Sequence, residues 1–157
     1  MKSFRKIASL LAVAPLAISG LVASTGTASA AVVVPPGKSG STCSGYKYAD
    51  SLHQRYWQTC AWADYRYVWF TVNFGNSSGV SWEPSSTLIS YIKSGSPGAC
   101  VLGHEEFFEV KAHSTRSTDR MKCVLTRVPG AYASVGKVSY TSTTGFIEQH
   151  SPTLQVQ

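Results

Sequence analysis

Beyond residue 30 the chain has no second long apolar run, and its basic residues are scattered rather than gathered into a stripe. A helix needs about 20 consecutive apolar residues to span a bilayer. The absence of such a run predicts that the mature protein is soluble and lies outside the membrane. The net charge of +6 falls to +3 once the three basic residues within residues 1–30 are removed. So small an excess of positive charge argues against nucleic acid as a partner.

Patterns of catalytic and metal-binding residues are also missing. The histidines show no H-E-x-x-H spacing, and the cysteines show no C-x-x-C spacing of the kind found in zinc sites. The segment Gly75–Gly79 matches G-x-S-x-G, but a nucleophile elbow needs a helix directly after the turn, and Val80–Pro84 is not a helix start. The segment also contains the glycosylation sequon Asn76-Ser77-Ser78. We predict no catalytic residues, no bound metal and no cofactor.

Residues 1–30 have the three parts of a secretory signal peptide. Basic residues lie near the start, a mostly apolar stretch covers residues 7–22, and Ala28-Ser29-Ala30 is a small-residue cleavage site. We therefore expect export, cleavage after about Ala30 and an extracellular location. We expect the mature chain to divide into a flexible N-terminal tail, residues 31–45, and a single domain, residues 46–157.

Four cysteines are present, and all of them lie in the mature part of the chain: Cys43, Cys60, Cys100 and Cys123. An even number of cysteines in an exported protein indicates disulfides. Three pairings of four cysteines are possible. Cys43–Cys60 with Cys100–Cys123 is the preferred pairing, because each bridge then joins segments that are close in sequence.

Short segments rich in β-branched and aromatic residues recur along the chain, separated by clusters of Gly, Pro, Ser and Asn. No long stretch has the 3.6-residue periodicity of a helix. The pattern predicts an all-β fold, a small antiparallel β-sandwich of about seven or eight short strands, with a small β-barrel as the alternative. The predicted strands cover residues 54–62, 65–74, 80–83, 87–93, 99–102, 107–112, 120–128, 135–141 and 153–156.

The segment Tyr65–Phe74 is the most strand-like of these. Side chains in a strand alternate between its two faces. One face therefore carries Val68, Phe70, Val72 and Phe74, which we assign to the core. The other carries Tyr65, Tyr67 and Trp69, followed by Thr71 and Asn73. These rings are expected either to face solvent as a binding surface or to pack beneath a second layer.

The ring-bearing face and the missing catalytic patterns favour a secreted, non-catalytic binding module. Sheets that bind sugars use such rings to cover the apolar faces of pyranoses, and Tyr, Trp and Arg are also enriched where proteins meet. The candidate ligand-binding residues are Tyr65, Tyr67, Trp69 and Arg66. The expected ligand is a polysaccharide of the cell wall or the environment, or an extracellular protein.

Three other functions remain open at this point. A secreted inhibitor of a protease or another enzyme would present a rigid loop, and residues 113–118 and 94–98 are the candidates. A small secreted hydrolase would need two facing carboxylates, chosen from Glu83, Glu105, Glu106 and Glu109. A structural role at a cell surface would need neither a ligand nor a cleft.

Overall fold

The computed structural model describes residues 30–141 and 143–157, so the predicted signal peptide lies outside the described residues except for Ala30. Among these residues, no helix is both long enough and apolar enough to cross a membrane. In chain order the strands are β1 (Val32–Val34), β2 (Gly40–Cys43), β3 (Lys47–Tyr48), β4 (Arg55–Ala63), β5 (Tyr67–Asn76), β6 (Ser86–Lys93), β7 (Ser96–Glu106), β8 (Ser114–Ser117), β9 (Val124–Thr126), β10 (Gly130–Ser139), β11 (Ile147–His150) and β12 (Leu154–Val156), with a 3-10 turn at Arg120–Lys122.

The strands form two six-stranded sheets, which pack as a sandwich and not as a closed barrel. Sheet A has the order β1-β12-β10-β6-β7, and β11 pairs with the second half of β10. Sheet B has the order β2-β4-β5-β8, with β3 beside β4 and β9 beside β5. All pairs are antiparallel except β1 with β12. The predicted antiparallel β-sandwich is therefore confirmed.

The core lies between the two sheets and includes the inward face of β5. The four residues assigned to the core are each at most 1% exposed: Val68, Phe70, Val72 and Phe74. The ring of Phe70 packs on Tyr91 of β6 and Tyr132 of β10, with centroid distances of 5.1 and 6.4 Å. Close contact at this layer is possible because β10 carries Gly136, where a Cβ would lie only 2.9 Å from side-chain atoms of Thr59 and Val72.

The disulfide pairing is the one predicted from the sequence. Cys43 and Cys60 are directly opposite each other on β2 and β4. Cys100 lies on β7 of sheet A, and Cys123 immediately precedes β9 of sheet B. The second bridge therefore ties the two layers together, while the first ties two neighbouring strands.

The prediction that residues 31–45 form a flexible tail is wrong. The segment contains β1, which pairs with residues 154–156, and β2, which pairs with residues 60–63. The side chain of Val34 is 1% exposed and belongs to the core. The apolar side chain and the backbone hydrogen bonds hold this segment in both sheets, so the domain begins near residue 32.

The described residues contain twelve strands, more than the seven or eight predicted. Seven of the twelve are only two to four residues long, and such strands are too short to show an alternating pattern. The predicted strand 120–128 is a 3-10 turn followed by β9, and in 107–112 only Val110 forms a bridge, to Trp82. The predicted strand 99–102 is part of the longer β7, and the predicted strand 135–141 overlaps β10, which ends at Ser139.

One arginine links three distant parts of the chain. The guanidinium of Arg127 donates to the carbonyl oxygens of Lys38 and Pro35, both at 2.7 Å, and of Gln157 at 3.2 Å. It also donates to the carbonyl oxygen of Asp64, in the turn between β4 and β5. The five donors of a planar guanidinium suit such a set of acceptors. Arg127 thereby fixes the β1–β2 connection, the β4–β5 turn and the segment after β12 relative to one another.

We expect Arg127→Met to lower the free energy of unfolding by about 2 kcal/mol, the typical effect of losing hydrogen bonds to a charged group. Arg127→Lys should recover only part of this, because a single ammonium cannot span the acceptors. Arg116→Met is the matched control, since the Arg116 guanidinium donates to one backbone carbonyl, that of Glu109. Chemical denaturation measures all three. Equal losses for Arg127→Met and Arg116→Met would contradict the assigned role.

Candidate functional site

The turn between β4 and β5 begins at Asp64. Its Oδ1 accepts hydrogen bonds from the backbone N–H groups of Arg66 and Tyr67, both at 2.7 Å. This side-chain-to-backbone arrangement is typical of Asp in turns. As a result β5 begins at Tyr67, and Tyr65 and Arg66 lie in the turn, not in the strand as the sequence pattern predicted. Tyr65 projects into solvent and is 66% exposed.

The hairpin register brings a second tryptophan onto the ring-bearing face. Trp62 of β4 is directly opposite Trp69 of β5, and their rings are stacked with an interplanar angle of 3° and centroids 6.3 Å apart. The indole N–H of Trp62 donates to Thr71 Oγ1 at 2.9 Å. Tyr65, Tyr67, Trp69 and Trp62 are called the ring platform below.

The ring platform is on the outer face of sheet B, away from sheet A. Tyr67 is 45% exposed, and Trp69 is half-buried. A depression of about 220 Å³ lies here. It is lined by the four predicted ligand-binding residues, Tyr65, Arg66, Tyr67 and Trp69, together with Asp64, Arg120, Met121 and Val124. The sequence left open whether these rings were covered. In this structure they are not beneath a second layer.

The depression carries a net positive charge at neutral pH. The guanidinium carbon of Arg66 lies 5.1 Å from the centroid of the Tyr65 ring, and that of Arg120 lies 6.0 Å from the Trp69 ring. Hydrogen bonds from the N–H groups of Arg66 and Tyr67 lower the pKa of Asp64, and the charges of Arg120 and Arg127 lower it further. Asp64, the only carboxylate in the lining, is therefore ionised and already accepts hydrogen bonds from two backbone N–H groups.

Trp62 and Arg120 were not among the predicted site residues. Trp62 had a usable signal, since a hairpin centred on Tyr65 and Arg66 places it opposite Trp69. Arg120 had none. It lies in the 3-10 turn, which the Asp119 side chain caps by accepting from the Met121 N–H at 2.9 Å, within a segment predicted to be a strand.

A serine, a histidine and a glutamate come together on sheet A, outside the ring platform. Ser86 Oγ lies 2.8 Å from His104 Nε2, and the same nitrogen lies 3.4 Å from Glu106 Oε1. In a hydrolytic triad the acid contacts Nδ1 while the serine contacts Nε2. Because both partners here share Nε2, the acid does not orient the imidazole in the way that a triad requires.

Three of the four carboxylates considered for hydrolysis have separate partners: Glu105, Glu106 and Glu109. Glu105 accepts from the Asp119 N–H and lies 3.5 Å from Lys122 Nζ, whereas the neighbouring Glu106 contacts His104. Glu109 accepts from Ser81 Oγ at 2.6 Å. The adjacent pair Glu105 and Glu106 thus has different surroundings, as neighbours on a strand should. In the described part of the chain, no group of three His, Cys, Asp or Glu is arranged to hold a metal ion.

The segment 75–79 has a structural role in this fold. Asn76 is 2% exposed, and its Nδ2 donates to the carbonyl oxygens of Val80 and Val110 at 2.8 and 3.0 Å. Its Oδ1 accepts from Ser78 Oγ at 2.7 Å. The amide nitrogen of the sequon is therefore buried and already donates hydrogen bonds within the protein. In the described residues no helix follows Ser77, so the segment does not form a nucleophile elbow.

The two loops considered for an inhibitor are ordered parts of the sheets. Within 113–118, residues 114–117 form β8 and pair with β5. The Arg116 guanidinium carbon lies 4.6 Å from the Phe108 ring centroid, against the protein's own surface. Residues 94 and 95 form the tight turn between β6 and β7, with positive φ angles at Ser94 and Gly95.

Comparison of the chain with protein-family models and with curated proteins finds no match to either. Functional inference therefore depends on the chemistry of the ring platform and its surroundings.

We expect Asp64→Asn to destabilise the β4–β5 turn at neutral pH, because an amide oxygen is a weaker acceptor than a carboxylate. The hydrogen bonds in the folded state lower the pKa of Asp64 below its ordinary value of 3.8. The stabilisation is therefore complete above that value and is lost as the pH falls through the lower, folded-state pKa. Thermal unfolding from pH 7 to pH 2 should show the two proteins converging below about pH 4. A stability difference that is constant over this range would contradict the assignment.

Proposed function

We propose that the protein is exported and acts outside the cell as a non-catalytic binding module that uses the ring platform to bind polysaccharide. The observation that carries the proposal is the exposed depression lined by Tyr65, Tyr67 and Trp69. Export is supported by the N-terminal sequence, and the two disulfides fit an oxidising compartment.

The chemistry of the ring platform suits a sugar. Aromatic rings offer flat apolar surfaces that match the apolar face of a pyranose, while the hydroxyl groups of Tyr65 and Tyr67 and the guanidinium of Arg66 provide hydrogen-bonding groups at its edge. Rings that are already stacked, such as Trp62 on Trp69, lose little conformational freedom when a ligand binds. Such preorganisation increases affinity.

A protein ligand is the second candidate within this proposal. Tyr, Trp and Arg are the residues that most often dominate binding energy in protein interfaces, and Arg66 and Arg120 lie beside the rings. The stacked tryptophans and the surrounding polar groups favour the sugar, because neighbouring rings on one face of the β4–β5 hairpin can each cover one sugar unit.

The protein should be retained on at least one of insoluble chitin, cellulose and peptidoglycan, or bind a soluble polysaccharide in titration calorimetry. Trp69→Ala should weaken that binding about tenfold, since one aromatic contact contributes roughly 1.4 kcal/mol. Phe107→Ala is the matched control, because Phe107 is 71% exposed and is not part of the ring platform. No binding to any of these polymers, or equal binding by wild type and Trp69→Ala, would remove the proposal.

A further inference from the structure

The ring platform is one end of a longer groove along β4 and β5. A second depression, of about 330 Å³, shares Trp69 and Arg120 with the first, and a third, of about 240 Å³, shares Asn73 and Ser117 with the second. The three depressions therefore adjoin one another on the outer face of sheet B. The far end lies about 20 Å from the ring platform, because six residues of β5 separate Trp69 from Gly75.

A second group of rings lies at the far end of this groove, where Tyr46 and Tyr56 line the third depression and Tyr48 adjoins Tyr56. Tyr46 and Tyr48 are 55% and 44% exposed, and their ring centroids lie 4.8 and 6.2 Å from that of Tyr56. The Tyr56 ring covers Gly75, where a Cβ would clash with it at 2.2 Å. These three tyrosines, like the ring platform, present aromatic surface to solvent on the outer face of sheet B.

Polar side chains line the middle of the groove. Gln58 and Asn73 are opposite each other on β4 and β5, and Ser117 of β8 continues the row. Amide and hydroxyl groups between two aromatic ends can donate to and accept from sugar hydroxyls. A groove with rings at both ends and polar groups between them fits an extended chain better than a single sugar.

The charges along the groove are almost all positive. Arg66, Arg120 and Arg116 contribute to its lining, and Asp64 is the only carboxylate there. Within residues 30–141 and 143–157, the guanidinium groups of Arg66 and Arg120 form no hydrogen bond or ion pair. Such groups can donate hydrogen bonds to the carboxylates of a ligand.

We propose that the groove binds an extended acidic polysaccharide, with sugar rings on both aromatic ends and ligand carboxylates at Arg66 and Arg120. This inference rests on the proposed function and adds the length and the charge of the ligand. It predicts that affinity increases with chain length until both aromatic ends are occupied, and that it falls as salt is raised.

Titration calorimetry on the mature protein should use polygalacturonate, alginate and hyaluronan, each as oligosaccharides of two to eight sugars and as polymer. Neutral hydroxyethylcellulose and glucomannan are the uncharged comparison. We expect at least one acidic polymer to bind more tightly than both neutral ones, and Arg120→Ala to weaken it about tenfold, as loss of one charge-assisted hydrogen bond does. Lys111→Ala removes the positive charge of a residue that is not among those lining the groove and should have little effect.

The double variant Tyr46→Ala/Tyr48→Ala tests the far end separately. It should weaken binding of the acidic polymer about tenfold but leave the binding of its disaccharide unchanged, and circular dichroism should confirm that the variant is folded. Equal binding of acidic and neutral polymers, equal binding of DNA, or polymer affinity unaffected by the double variant would overturn the inference. Retention of Trp69-dependent binding in those cases would leave the proposed function standing, whereas no binding of any polysaccharide would remove both.

Discussion

The alternation of side chains along β5, in register with β4, is the constraint on which the rest of the structure depends. It directs Phe70 and Phe74 into the space between the sheets, where they are at most 1% exposed. The same alternation places Tyr67 and Trp69 on the outer face. A slip of one residue would exchange the two sets, because side chains change face at every residue. The apolar core therefore fixes which rings face solvent.

The connections at the strand ends hold the outer face in one conformation. Asp64 closes the β4–β5 turn beneath Tyr65 and Tyr67, and Arg127 ties that turn to the β1–β2 connection. On the other side of the ring platform, the disulfide at Cys123 anchors the segment that carries Arg120 to β7 of sheet A. These links limit the movement of the groups around the depression, so a ligand would meet surfaces that are already in place.

The fold class, the disulfide pairing and the two faces of β5 could be predicted from the sequence. Long alternating segments and cysteines that are close in sequence are visible without knowledge of tertiary contacts. The edges of the sheets could not be predicted in this way. Residues 31–45 read as a tail, although Val34 fills the core, and strands of two to four residues are decided by their partners. β5 begins at Tyr67, two residues later than the pattern predicts, because Asp64 forms an Asx turn with the N–H groups of Arg66 and Tyr67. The four candidate ligand-binding residues do lie together, but Arg120 reaches them only through tertiary contacts.

The four tryptophans allow the central claim to be measured directly in one experiment. Trp62 and Trp69 lie on the outer face, while Trp57 and Trp82 are 0% and 7% exposed in the core and serve as internal controls. The experiment titrates ¹⁵N-labelled protein with a soluble polysaccharide that it binds. The account predicts that the indole N–H resonances of Trp62 and Trp69 shift with ligand concentration, while those of Trp57 and Trp82 stay in place. Shifts confined to the core tryptophans, or unchanged signals from Trp62 and Trp69 at saturation, would contradict it.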